Sequence, residues 1–228
     1  LELGGSDPFI VLADADIQQA AKTAKIARLQ NAGQSCIAAK RFIVVEQVAH
    51  EFIQAMSNEF KNTIVGDPLD VKTECGPLAS EQILHEVIRQ VDESVKLGAK
   101  VETGGKRLNQ PGYFYSPTVL SNVNSTMPVY NEEVFGPVAA VIIVKDDQEA
   151  IKAANDSAFG LGASLWTKDA NKAKQLATLI ESGSVFVNGL VKSDPRLPFG
   201  GIKNSGYGRE LSSFGIKEFV KIKTVWLK

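Results

Sequence analysis

Cys36 stands in the run Asn31-Ala32-Gly33-Gln34-Ser35-Cys36, just after a predicted helix stop and before a predicted strand. A thiol on such a turn is exposed and can be approached by a substrate. Backbone N–H groups of the turn can lower its pKa and later hold an oxyanion. The other reading is a small buried hydrophobe, as most free cysteines are, and position alone favours it. Cys75, in Glu74-Cys75-Gly76-Pro77, reads as that kind of residue. Two phosphate-cradle patterns fail on spacing. Gly206-Tyr207-Gly208 lacks a third glycine and a strand directly before it, and Gly104-Gly105-Lys106-Arg107 lacks the Ser or Thr of a P-loop. His50 and His85 fall on predicted helices with no Cys/His cluster nearby, so no metal site is expected.

The elements that must position these residues alternate between strand and helix. Asp14 and Asp16 are candidate caps for a helix carrying Ile17, Ala20, Ala21, Ala24 and Ala27 on one face, with Gly33 as its stop. Arg41–Val45 reads as a buried strand, followed by a helix with the stripe Phe52, Met56, Phe60. A turn follows at Gly66-Asp67-Pro68. Ser80 caps a further helix with Leu84, Val87, Ile88, Val91 and Val95 inward, ending at Gly98. Tyr113–Leu120 is expected extended. The apolar run Val138–Val144 has the character of a parallel strand covered on both faces. Helix is expected over 146–156 and 169–181, strand over 163–166 and 184–188. The fold class is therefore α/β, with a largely parallel sheet flanked by helices. From Phe219 the pattern changes: Val220, Ile222, Thr224 and Trp226 share one face, and Lys221 and Lys223 the other. This predicts an amphipathic edge strand that pairs with another subunit.

The chain of 228 residues is 44% hydrophobic and 22% charged, with net charge −1 and scattered Lys and Arg. That is ordinary for a globular protein and argues against nucleic acid or an anionic membrane surface as partner. No apolar run approaches the ~20 residues that span a bilayer. Two cysteines make no disulfide framework, and reduced thiols in a cytoplasmic setting are expected. The sequence opens at Leu1 within what reads as a strand, which predicts a piece of a longer chain.

Four segments in series carry a resemblance. They are Leu1-Glu2-Leu3-Gly4-Gly5, Asn31 to Cys36, Asn131-Glu132-Glu133-Val134-Phe135-Gly136-Pro137, and the run from Pro198-Phe199-Gly200-Gly201 to Gly208-Arg209-Glu210. With them the chain resembles the aldehyde dehydrogenase superfamily over its whole length, beginning at the Glu-Leu-Gly-Gly segment. The resemblance implies a catalytic domain over 1–208, an assembly segment over 209–228, and an N-terminal cofactor-binding half outside this sequence. It reverses the reading of Cys36, which matches the family's catalytic thiol. Glu2 matches the general base that activates water. Glu133 matches the carboxylate on the nicotinamide ribose of NAD or NADP, and Phe135 the ring beside the nicotinamide. Phe199 matches an aromatic of the aldehyde pocket.

The chemistry implied is thiolate attack on an aldehyde, hydride loss to leave a thioester, and hydrolysis by Glu2-activated water. Branches of the family that pass the acyl group to coenzyme A generally lack the carboxylate found here as Glu2, so release of a free acid is implied. The loop Val191–Phe199, with Ala38-Ala39-Lys40-Arg41 and Gly206–Glu210, is similar to bacterial succinate-semialdehyde dehydrogenases. One departure is Gln30, where some members with that activity carry Arg. Lys192 and Arg196 are then the candidate anchors for a carboxylate tail, or else solvated loop charges. The resemblance also implies a homodimer or homotetramer joined through the C-terminal strand. Other aldehydes, such as glutarate semialdehyde or a non-acidic one, and an inactive assembly module are the competing readings.

Overall fold

The computed structural model describes residues 1–228. In chain order the elements are β1 (Pro8–Val11), α1 (Ile17–Leu29), β2 (Arg41–Val45), α2 (Glu46–Lys61), α3 (Glu81–Lys96), β3 (Lys100–Thr103), β4 (Thr118–Ser121) and α4 (Pro128–Asn131). Then follow β5 (Val138–Val144), α5 (Asp147–Asn155), β6 (Phe159–Gly160), β7 (Gly162–Trp166), α6 (Ala170–Ala177), β8 (Ser184–Val187), β9 (Ile202–Lys203) and α7 (Ser212–Glu218). Seven strands form one sheet in the order β3-β4-β5-β2-β1-β7-β8. All its pairs are parallel except β3 with β4.

The strands are apolar on both faces because both faces are covered. Phe9 and Val11 of β1, Phe42 and Val44 of β2 and Val141 of β5 point into a core shared with α1 and α2. Ile10, Ile43, Ile142 and Leu165 point into the opposite core, under α3, α5 and α6. Phe9 stacks on Trp166 at 5.5 Å and meets Phe42 at 5.2 Å, which ties β1, β2 and β7 together. No helix is long and apolar enough to cross a membrane.

Several boundaries differ from expectation. Asp16 caps α1 by accepting the Gln19 N–H at 3.0 Å. Asp14 does not cap it; its carboxylate accepts from the Thr167 hydroxyl and the Lys168 and Asp169 N–H groups. Gly33 is not the stop of α1. The helix closes where Gln30 N–H bonds Ile26, and Asn31, Ala32 and Gly33 then turn with positive φ. The turn is held from outside the helix ladder: the Asn31 amide donates to Gln34 O and the buried Arg28 guanidinium to Gly33 O. Val95 is 40% exposed rather than inward. Of the stretch expected to be extended, 118–120 falls in β4 and Tyr115 makes an isolated bridge to Arg107, and α6 spans Ala170–Ala177. The tail after Phe219 pairs with no strand of this chain and leaves Val220, Ile222 and Trp226 exposed.

Candidate active site

The site is built on the amino edge of the parallel strands. The segment before β1 carries Glu2 to Asp7, the segment before β2 carries Cys36 to Lys40, and the segment before β5 carries Glu133 to Pro137. Parallel pairing brings these three returns side by side. Register fixes them: Pro8 faces Arg41, and Arg41 faces Ala140. Arg41 is buried and donates to Ser6 O at 3.1 Å, Ala153 O at 2.7 Å and Ala154 O at 2.9 Å. It pins the start of β2 to the first segment and to the end of α5.

The turn bearing the thiol is bonded on every side. The Gln34 side chain donates to Asn31 O at 3.0 Å and accepts the Ala79 N–H at 2.8 Å. Cys36 itself is half-buried. Burial and the nearby Glu2 charge push its thiol up; the Ile37 N–H and the Lys40 ammonium pull it down. Gly5 lies against it so closely that a Cβ there would sit 2.7 Å from Cys36 O. The same Gly5 donates its N–H to Glu133 Oε1 at 3.1 Å, and a Cβ on Gly4 would fall 2.6 Å from Glu133 Oε2. The two glycines therefore let the Glu2 segment, the thiol turn and the Glu133 carboxylate approach each other.

Glu2 is held by a fourth segment. Leu3 N–H donates to Ser205 O at 3.0 Å. Glu2 lines a cavity of about 740 Å³ with Phe199, Tyr207, Arg209 and Glu210, closed on one side by α7. Burial and the charge of Glu210 raise the Glu2 carboxyl above the usual range. Glu210 is a residue that sequence reading missed as a partner of Glu2. It bridges to Phe199, donating at 2.6 Å and accepting at 2.9 Å through backbone. Phe199 also borders a second cavity of about 320 Å³, lined by Lys192, Asp194 and Phe186. Arg196 is 85% exposed, and its guanidinium grips Asp194 at 2.9 and 2.7 Å. Phe135 is half-buried, flanked by buried Val134 and Gly136.

Comparison with known proteins decides the family. Residues 1–225 match the model of the Aldehyde dehydrogenase family. The chain belongs to this family. It is 55% identical over 227 residues to the probable succinate-semialdehyde dehydrogenase (NADP+) of Synechocystis and 51% identical to succinate-semialdehyde dehydrogenase (NADP+) 1 of Mycobacterium bovis. All of this chain aligns in both cases, with 50% of each relative, so the chain spans about half the length of the curated relatives it matches. Among solved structures it is similar to succinic semialdehyde dehydrogenase from Streptococcus pyogenes in complex with NADP+. That match has a TM-score of 0.96 at 42% identity and covers 100% of this chain and 50% of that one. Betaine aldehyde dehydrogenase from Staphylococcus aureus in complex with NAD+ matches with a TM-score of 0.92 at 37% identity, over 96% of this chain and 44% of that one.

Proposed function

We propose that this chain is the catalytic half of an NAD(P)+-dependent aldehyde dehydrogenase that converts a short aldehyde, foremost succinate semialdehyde, to its free acid. The observation that carries it is the convergence of the Cys36 turn, the Glu2 segment and the Glu133 carboxylate on one edge of the sheet. The relatives named for NADP+ and succinate semialdehyde support the cofactor and the substrate.

In this reading Cys36 Sγ, as thiolate, adds to the aldehyde carbon, and the carbonyl electrons move to oxygen. Backbone N–H groups of the turn hold that oxyanion. NAD(P)+, when bound, accepts the hydride that leaves carbon as the thioester forms. Glu2 takes a proton from water, the resulting hydroxide adds to the acyl carbon, and the C–S bond breaks to release acid and thiolate. A raised Glu2 pKa suits this role, because a more basic carboxylate attracts the proton of water more strongly. Glu133 fits the ribose end of a nicotinamide cofactor: it is partly exposed, and only its Oε1 is engaged by an N–H of this chain, so an oxygen remains to accept from hydroxyls. Phe135 offers a ring beside it.

The carboxylate end of the substrate is assigned to Lys192, which lines the cavity next to Phe199. Arg196 is the weaker anchor, since Asp194 already occupies its guanidinium. The exposed tail from Phe219 is assigned to pairing with a second copy. Cys36→Ala in a full-length enzyme containing this chain tests the core of the proposal. Turnover is expected to fall by several orders of magnitude, about as far as removal of a covalent nucleophile takes other enzymes. Retention of a tenth of it would overturn the assignment.

A further inference from the structure

Beneath the thiol turn lies a lysine that the reaction scheme does not use. Lys40 is 1% exposed, yet its ammonium is fully engaged. It donates to Ser35 O at 3.1 Å, to Cys36 O at 3.0 Å and to Ala38 O at 3.1 Å, and it lies 3.6 Å from Glu133 Oε1. Three carbonyls of one turn, one of them the nucleophile's own, thus share a donor with the carboxylate that Gly5 also holds. Burying a lysine is costly, and a buried ammonium survives only where acceptors and counter-charges surround it.

We propose that Lys40 is a positioning residue for this reaction: its ammonium clamps the Cys36 turn to the Glu133 carboxylate, so one side chain sets the nucleophile and the cofactor-facing acid relative to each other. Four charged or titratable groups face it. Arg28 comes from α1, Asp7 from the segment before β1, Glu133 from the segment before β5, and Cys36 from its own turn. Burial and the repulsion of Arg28 bring the ammonium pKa down to about 8, and Asp7, Glu133 and the thiolate oppose that fall, so the charge is present near neutral pH. In return the ammonium favours the thiolate of Cys36. A clamp that carried only packing would fix the turn without touching the thiol's acidity. The clamp inferred here does both. For its catalytic meaning this rests on the reading of Cys36 as nucleophile and Glu133 as cofactor ligand.

The test reads the thiol directly and needs neither aldehyde nor cofactor. Rates of Cys36 alkylation by neutral iodoacetamide are measured against pH in a Cys75→Ala background, for the wild-type lysine, Lys40→Gln and Lys40→Met. Loss of the charge is expected to slow alkylation about tenfold below about pH 8, where the ammonium is present, while the high-pH plateau is kept. Profiles that superimpose on the parent overturn the proposal. If neither variant folds, the unsubstituted chain decides. The Lys40 Nζ resonance is followed as Cys36 is carboxamidomethylated: a shift larger than at any other lysine supports the clamp, and an unmoved resonance overturns it. A shifted profile in a protein that oxidises no aldehyde would keep the clamp and remove the reaction. Unshifted profiles in an active enzyme would remove the clamp alone.

Discussion

Gly5→Ala perturbs the site by a single carbon whose destination is known. The new Cβ would stand 2.7 Å from Cys36 O, 3.3 Å from Asp7 Oδ1 and 3.4 Å from the Leu161 Cβ. The nearest atom is backbone, so no side chain can rotate away. Reaching ordinary contact requires the thiol turn and the Glu2 segment to part by about 0.7 Å. The separation also strains the Gly5 N–H bond to Glu133 and the Lys40 bond to Cys36 O. Overpacking of this kind costs roughly 1–3 kcal/mol of stability. The chemical penalty is of similar size and falls on the rate, because a misplacement near 1 Å at reacting groups costs about a hundredfold. We therefore expect urea denaturation to show a modest loss and kcat for aldehyde oxidation to fall roughly ten- to a hundredfold. Gly189→Ala is the control: its Cβ would meet only Val187 O, at 3.9 Å. Wild-type kcat in Gly5→Ala, with folding intact, would refute the claim that close approach of the two segments sets the nucleophile.

The remaining predictions concern roles. Glu2→Gln should leave a burst of reduced cofactor while slowing turnover, since hydride loss precedes the step that needs a base. Glu2 works only when ionised, so activity falls as pH drops through its raised pKa. Glu210→Gln removes one of the causes of that rise and should move the acid limb of the pH–rate profile to lower pH; a stationary limb would belong to another group. Lys192→Ala with Arg196→Ala should raise KM for succinate semialdehyde about 10- to 150-fold more than for a neutral aldehyde of equal length, the worth of a charge-assisted bond. An equal effect on both would place the anchor elsewhere. The 228-residue chain alone should alkylate at Cys36 but give no aldehyde-dependent absorbance of reduced nicotinamide. Contacts from Glu133 and Phe135 do not offset the ~4–15 kcal/mol of freedom lost on binding. Reduction by the purified chain would place a complete dinucleotide site within it.

Local patterns made much of this fold legible. The unbroken apolar run of β5, the alanine face of α1 and the Phe52-Met56-Phe60 stripe of α2 each report a burial that their own residues determine. Features set by distant partners were not legible. Asp14 looks like a cap, but its acceptor oxygens are taken by Thr167 and its neighbours, more than 150 positions away. Helix α7 follows Leu211, an N-cap residue with positive φ and no capping side-chain bond, so no start signal marks it. At the candidate site, Cys36 and Glu2 were singled out through motif likeness, whereas no local pattern marked Lys40 or Arg28. Only the packed returns show that they are buried.

Why the candidate site sits where it does follows from the sheet. Ligands of open α/β sheets commonly sit at the carboxyl ends of strands, where the loops run out to the helices. Here the ends of β1, β2, β5 and β7 lead into helices within a few residues, as where α2 begins at Glu46 directly after β2, and β8 alone runs out into a long loop, the one that carries Lys192 and Phe199. The longer returns lie at the other edge, and each contributes one group: Glu2 before β1, Cys36 before β2, Glu133 before β5. Returns are free at their middles and fixed at their ends. The fixed ends are residues the ladder holds in register, Pro8 with Arg41 and Arg41 with Ala140. The free middles are tied by polar groups buried between them: Arg41 to Ser6, Lys40 to Cys36, Gly5 to Glu133. Loops anchored this way keep the precision of the sheet while exposing a thiol and two carboxylates. Conversely, a substitution that spares the core but removes one of these ties should cost rate before it costs stability.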